Sequence, residues 1–204
     1  MLDYEIKNLK RFEKILGMDE AGRGALAGPL VVAGVIFPAN YKNDEINDSK
    51  KLTSKQRENL FFKIQEDAIA YEIIELSNFE VDELNPKKAS IVGMEKIANL
   101  LADKYDVVIT DFEKLNLQDK KQINLVKGDT ISISVAAASI LAKHYRDQVM
   151  RKLHLKYPMF SWDKNKGYGT KLHLEGLRKN GVSPFHRLSY KPVKQAIMEN
   201  NAIK

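Results

Sequence analysis

The sequence predicts a mixed α/β body followed by a small helical region, and three observations carry that reading. Short apolar runs alternate with segments whose apolar residues recur at helical spacing. Beyond Tyr157-Pro158 the composition shifts to lysine, glycine, histidine and aromatics, with only short helical patterns. A chain of 204 residues can bury roughly 70% of its unfolded surface, so it needs no disulfide or metal staple to hold a core.

Taken in order, residues 14–18 (KILGM) and 30–37 (LVVAGVIF) read as two strands joined by a glycine-rich turn. Residues 55–68 put Leu60, Phe61, Ile64 and Ala68 on one helical face, and Thr53 or Ser54 can cap that helix. Residues 70–76 (AYEIIEL) read as a third strand. An amphipathic helix is expected over 86–102, with Ile91, Met94, Ile97, Ala98 and Leu101 on its apolar side. Residues 107–110 (VVIT) and 123–126 (INLV) are two further short strands. A long helix over 134–156 opens small and apolar and turns basic, so its first half belongs in the core. Short helical patterns follow at 171–179 and 192–200. The body is therefore expected over residues 1–156, with the small helical region, residues 157–204, packed on it.

Composition excludes several chemistries. The chain has no cysteine, so a disulfide scaffold, a zinc-thiolate site, an iron–sulfur cluster and a cysteine nucleophile are all ruled out. The N-terminal segment mixes charge throughout and does not read as a signal or an anchor. No window of about 18 apolar residues could span a bilayer, and a cytoplasmic location is expected. The net charge is +6, but residues 143–194 hold 13 Lys/Arg against Asp147, Asp163 and Glu175, a net of +10, leaving −4 for the rest. Such a segment suits a polyanion such as nucleic acid, or is simply a solvated basic face.

Four acids lie at strand ends or turns: Asp19 and Glu20 after the first strand, Asp111 at the end of VVIT, and Asp129 after Lys127-Gly128. An acid there is costly to bury unless it is paired or binds a cation. Several converging would take Mg²⁺ or Mn²⁺ through oxygen, and two such ions can drive phosphodiester hydrolysis. Each acid alone could equally be a turn cap. Gly22-Arg23-Gly24 allows close approach of backbone amides to a phosphate or sugar, though a plain hairpin turn has the same composition. Ser49 and Lys50 could bind phosphate or merely cap a turn, and Tyr168 in G-Y-G-T could stack on a base or close the core. No nucleophile elbow, phosphate-loop signature or zinc spacing is present.

Read together, G-M-D-E-A-G-R-G-A-L-A-G-P (17–29), D-S-K-K-L (48–52), K-G-D (127–129), A-A-A-S-I-L-A-K-x-x-R-D (136–147), G-Y-G-T (167–170) and H-R-x-S (186–189) resemble the ribonuclease HII family in type and order. The resemblance covers residues 16–193. It implies a ribonuclease H-like fold, a central mixed sheet flanked by helices with a small C-terminal helical region. It also implies a metal-dependent endonuclease acting on the RNA of RNA–DNA hybrids and on single ribonucleotides in duplex DNA. Such an enzyme cuts on the 5′ side and leaves 3′-hydroxyl and 5′-phosphate ends.

By the same resemblance Asp19, Glu20, Asp111 and Asp129 are the catalytic acids and hold two Mn²⁺ or Mg²⁺ ions. Gly22, Arg23 and Gly24 read the ribose 2′-hydroxyl through backbone groups, and Tyr168 stacks on the sugar after the ribonucleotide. Ser49, Lys50, Ser139, Lys143, Arg146, His173 and Arg187 match positions near substrate. A monomer acting without a membrane is expected. The chain departs from the family pattern at Ala25, at Phe112-Glu113 after the third acid, and at Tyr190. Two other classes answer to parts of the sequence: a catalytically silent nucleic-acid-binding protein, and a hybrid nuclease restricted to long RNA tracts.

Overall fold

The alternating patterns resolve into helices α1 (Tyr4–Asn8), α2 (Ser54–Asp67), α3 (Asn78–Leu84), α4 (Pro86–Leu100), α5 (Ile133–Lys156), α6 (Trp162–Asn165), α7 (Lys171–Asn180) and α8 (Lys191–Ala202). The strands are β1 (Ile15–Ala21), β2 (Leu30–Ile36), β3 (Ala70–Leu76), β4 (Val107–Asp111) and β5 (Lys121–Leu125). These come from a computed structural model that describes residues 3–118 and 120–202. Among the described residues, no helix is long and apolar enough to cross a membrane.

The sheet is mixed, with strand order β3-β2-β1-β4-β5. β1 pairs antiparallel with β2 and parallel with β4, which pairs parallel with β5. β2 is buried at all seven positions and β4 at four of five, which explains why both read as unbroken apolar runs rather than alternating ones.

The chain divides into two compact units, Met1–Ala21, Val31–Ile74 and Ser90–His144 in the first, Gly22–Leu30, Glu75–Ala89 and Tyr145–Lys204 in the second. The second unit takes in the helical region expected over 157–204 but begins earlier, inside α5, and recruits two segments from the expected body.

In the first unit α5 lies close on β1. A Cβ at Gly17 would stand 2.3 Å from the Ser134 carbonyl carbon, so glycine is required for that approach. The AAASILA stretch (136–142) is wholly buried, as its small apolar side chains predict. Thr53 caps α2 in a reciprocal box with Gln56. Helices α1 and α3 have no counterpart in the sequence reading; both are too short for apolar periodicity to register. The second unit has its own core, in which Leu26, Ala27, Met150, Phe160, Trp162 and Leu177 cluster.

Candidate active site

Strand register brings the acids together in the first unit. Parallel pairing of Met18 with Thr110 sets the next residues, Asp19 and Asp111, side by side. Asp111 ends β4, but Asp19 and Glu20 lie inside β1 rather than after it as the sequence suggested, because pairing with β2 carries the strand on to Ala21. Asp111 pairs in turn with Leu125, the last residue of β5. From there Val126 and Lys127, the latter in the left-handed region at φ 56°, lead into a 3₁₀ turn, Gly128–Thr130, that holds Asp129. The Gly128 amide donates to Asp111 Oδ1 at 2.9 Å, tying the third and fourth acids' segments together.

The electrostatics match this crowding. Burial, then the neighbouring charges of Glu20 and Asp111, push the Asp19 carboxyl well above the usual carboxylate range, although Ser139 and the Glu20 amide donate to it. Lys50 Nζ sits 3.1 Å from Asp129 Oδ2. Burial opposes the charge on Lys50, but Asp129, Asp48 and Asp19 outweigh it and raise the ammonium's pKa. Ser49 and Ser139 share a 3.0 Å hydroxyl contact. Lys143 lies one turn beyond Ser139 on α5 and is half-buried. Arg57 anchors the loop by donating to the Ser49 carbonyl at 2.9 Å.

The second unit shows how the G-R-G turn is built. Arg187 is fully buried; its Nη1 donates to the Gly22 carbonyl at 2.7 Å and the Arg23 carbonyl at 3.1 Å, and its Nε to Gly28 at 3.1 Å. Tyr190 also donates to the Arg23 carbonyl, at 2.5 Å. Arg146, equally buried, donates to the carbonyls of Pro29, Ala27 and Lys166. A trans peptide points its carbonyl and amide in opposite directions. With the Gly22 and Arg23 carbonyls drawn to Arg187, the Arg23 and Gly24 amides face the other way. Gly24 is exposed, with nothing within 4 Å of where a Cβ would be. Burial lowers Arg146 to about 10, and the Arg187 charge adds to the effect while Tyr168 opposes it. Arg187 thus holds the G-R-G turn itself and Arg146 the backbone just beyond it.

The Ribonuclease HII family model matches residues 16–193. The chain belongs to the ribonuclease HII family. It is 46% identical over 179 residues to Ribonuclease HII of Sulfurihydrogenibium sp. (strain YO3AOP1), covering 88% of this chain and 90% of that protein. Its structure is similar to that of ribonuclease H2 from Pyrococcus horikoshii OT3, with TM-score 0.74, 27% identity, and 94% and 99% of the two chains covered. The fold is also that of Bst-RNase HIII, solved in complex with Mn²⁺, at TM-score 0.72 and 20% identity over 92% of this chain and 70% of that one. The protein is thus a ribonuclease H, a hydrolase of the RNA strand of RNA–DNA hybrids, on the α/β fold that its sequence predicts.

Against this ribonuclease HII frame the acids' donor chemistry fits a hard divalent cation. All four offer carboxylate oxygen, and Asp19 carries a buried charge that two anionic neighbours disfavour, a deficit that a cation offsets. Among the described residues no three His, Cys, Asp or Glu side chains stand at metal-holding spacing. Asp129 is turned to Lys50 and Asp111 to the Gly128 amide. Asp106, which precedes the apolar run of β4, accepts the amides of Glu13 and Lys14 before β1 begins and is a turn clamp.

Five residues near substrate by resemblance are buried: Ser49 and Ser139 beside the acids, and Arg146, His173 and Arg187, which are each 0% exposed. The two arginines hold backbone carbonyls rather than lining a surface, and His173 lies in a hydrogen-bonded cluster in the same unit. Tyr168 is 37% exposed, with the Arg146 guanidinium 5.3 Å from its ring centre. Sequence reasoning missed Glu5, a buried carboxylate on α1. It accepts from Ser132 Oγ at 2.5 Å and from the Ser134 amide at 2.9 Å, and so clamps the segment after Asp129. No local signal could reveal it, since its partners are 127 and 129 residues away.

Proposed function

We propose that this ribonuclease HII nicks duplex DNA at single embedded ribonucleotides as well as cutting longer hybrids. Cleavage falls on the 5′ side of the ribonucleotide and leaves 3′-hydroxyl and 5′-phosphate ends. Asp19, Glu20, Asp111 and Asp129 hold two Mg²⁺ or Mn²⁺ ions. The observation that supports this assignment is the register of β1 against β4, which sets Asp19 beside Asp111, the last residue of β4. When bound, such ions lower the pKa of an attacking water and offset charge on the departing oxygen.

The chain's own groups supply the rest. The Arg23 and Gly24 amides hydrogen-bond the ribose 2′-hydroxyl, which separates RNA from DNA without reading a base. Tyr168 offers its ring to the sugar that follows. Lys50, exposed and paired with the buried Asp129, can exchange that carboxylate for a substrate phosphate. Ser139 holds the Asp19 carboxylate by a hydrogen bond.

The test is a labelled DNA duplex containing one ribonucleotide, incubated with Mg²⁺, Mn²⁺ or EDTA beside an all-DNA control. Metal-dependent nicking 5′ to the ribonucleotide with the control intact is expected. Digestion of a long hybrid without cutting at the single ribonucleotide would instead mark a tract-restricted enzyme.

A further inference from the structure

Two buried histidines in the second unit have hydrogen-bonding patterns that fix their protons. His173 and His186 are 0% and 1% exposed, with ring nitrogens Nε2 to Nε2 at 3.1 Å. Trp162 Nε1, which can only donate, points at His173 Nε2 at 3.0 Å. His173 Nε2 must therefore accept, and the ring proton sits on Nδ1, 3.0 Å from the Tyr168 carbonyl. On the partner ring, the Ser183 amide donates to His186 Nδ1 at 2.9 Å. His186 then carries its proton on Nε2, and its N–H shares the one lone pair of His173 Nε2 with the Trp162 N–H. Both rings are neutral and each has one tautomer. A proton added to either would set two donors face to face.

The chain of bonds ends on the tyrosine of the G-Y-G-T turn. It runs from the Ser183 amide through His186 and His173 to the Tyr168 carbonyl, which also accepts the Thr170 amide at 2.8 Å. His186 is further held through its carbonyl, which accepts Asn78 Nδ2 at 3.2 Å. The next residue is Arg187, which supports the G-R-G turn. Burial lowers the pKa of both imidazoles, and His186 is taken down to about 3 by burial and then by the cost of placing a second charge beside His173, in keeping with two neutral rings.

We propose that His173 and His186 are positioning residues whose single-tautomer relay sets the backbone of Tyr168 and so the enzyme's preference for single ribonucleotides over RNA tracts. The link to preference rests on the assignment of Tyr168 to the sugar; the relay itself does not. Neither histidine touches substrate in this reading. A merely structural pair would support cutting of every substrate equally.

The experiment has two arms. Nitrogen-15 spectra of the whole protein at neutral pH should show one imidazole protonated only at Nδ1 and another only at Nε2, both lost as separate signals in H173Q and H186F. Tyr168 ring resonances, assigned by loss in Y168F, should shift in H186F. Charged rings, mixed tautomers or an unmoved Tyr168 would overturn the relay. In the second arm H186F should lower the ratio of single-ribonucleotide to long-hybrid cleavage about tenfold, as Y168A does, the scale of one lost stacking contact. Combining H186F with Y168A should lower the ratio no further. If Y168A lowers the ratio and H186F does not, the positioning role fails. If Y168A leaves the ratio unchanged, the sugar-stacking assignment fails, while the spectra still decide the relay.

Discussion

Arg187 Nη1 and the Gly22 carbonyl oxygen, 165 positions apart in sequence, meet at 2.7 Å. That bond joins the H-R-x-S motif to the D-E-A-G-R-G motif, and it gives a fully buried cation a structural reason to exist. A guanidinium can offer its donors in a fixed fork to several carbonyls at once, which an ammonium cannot. R187K is expected to cost about 2–4 kcal/mol of stability, the scale for breaking a buried charged network. Hybrid cleavage should weaken with it. Thermal melting and steady-state kinetics check both, and an unchanged melting point would remove the supporting role.

The glycines of the same turn separate fold from function. A Cβ at Gly22 would lie 2.0 Å from Arg146 Nε, on a backbone with φ +94°, whereas Gly24 has open space around it. G22A should therefore destabilise the protein by about 2 kcal/mol or more. G24A should melt like the wild type yet cut less well, since under the proposed assignment its methyl would stand where the ribose approaches. Paired melting and cleavage curves for the two variants are the measurement.

At the acids, D19N and D129N should each lower cleavage by at least about 100-fold, the scale of removing one charge-stabilising group. Hybrid binding should remain measurable by fluorescence anisotropy. D129N also removes the ion-pair partner of Lys50. Cleavage at the wild-type rate by either variant would overturn the assignment of these carboxylates.

Phe112 follows Asp111 with φ 68° and is 64% exposed. A bulky residue in the left-handed region costs about 1–2 kcal/mol, more than the conformational freedom that a glycine adds to the unfolded chain. F112G should stabilise the protein by roughly 0.5–1 kcal/mol, with little burial lost. A fall in melting temperature would show that the exposed ring holds the turn in some other way.

Acid should weaken the second unit through His186. Its pKa in the folded protein is about 3 against an ordinary 6.5, so protons bind the unfolded chain more readily. Its contribution is complete above pH 6.5 and is lost progressively as the pH falls from there toward 3. The slope approaches ~1.4 kcal/mol per pH unit for each such histidine. Urea unfolding between pH 7.5 and 5 should show it, and H186F should flatten the curve.

The sequence by itself determined the strands and the longer helices, because apolar spacing and caps such as Thr53 are local properties that nearby residues settle. It also held the motif residues in their order, enough to place the chain beside ribonuclease HII. Chain length and small-residue runs likewise announced that α5 begins in a core. Tertiary structure alone decided which acids are neighbours, since a register such as Met18 against Thr110 depends on pairing between strands about ninety residues apart. It also decided that Arg146, His173 and Arg187 lie inside. A motif shows only the residue type; whether that type meets substrate or holds the backbone that does depends on burial, and burial is set by contacts from distant parts of the chain.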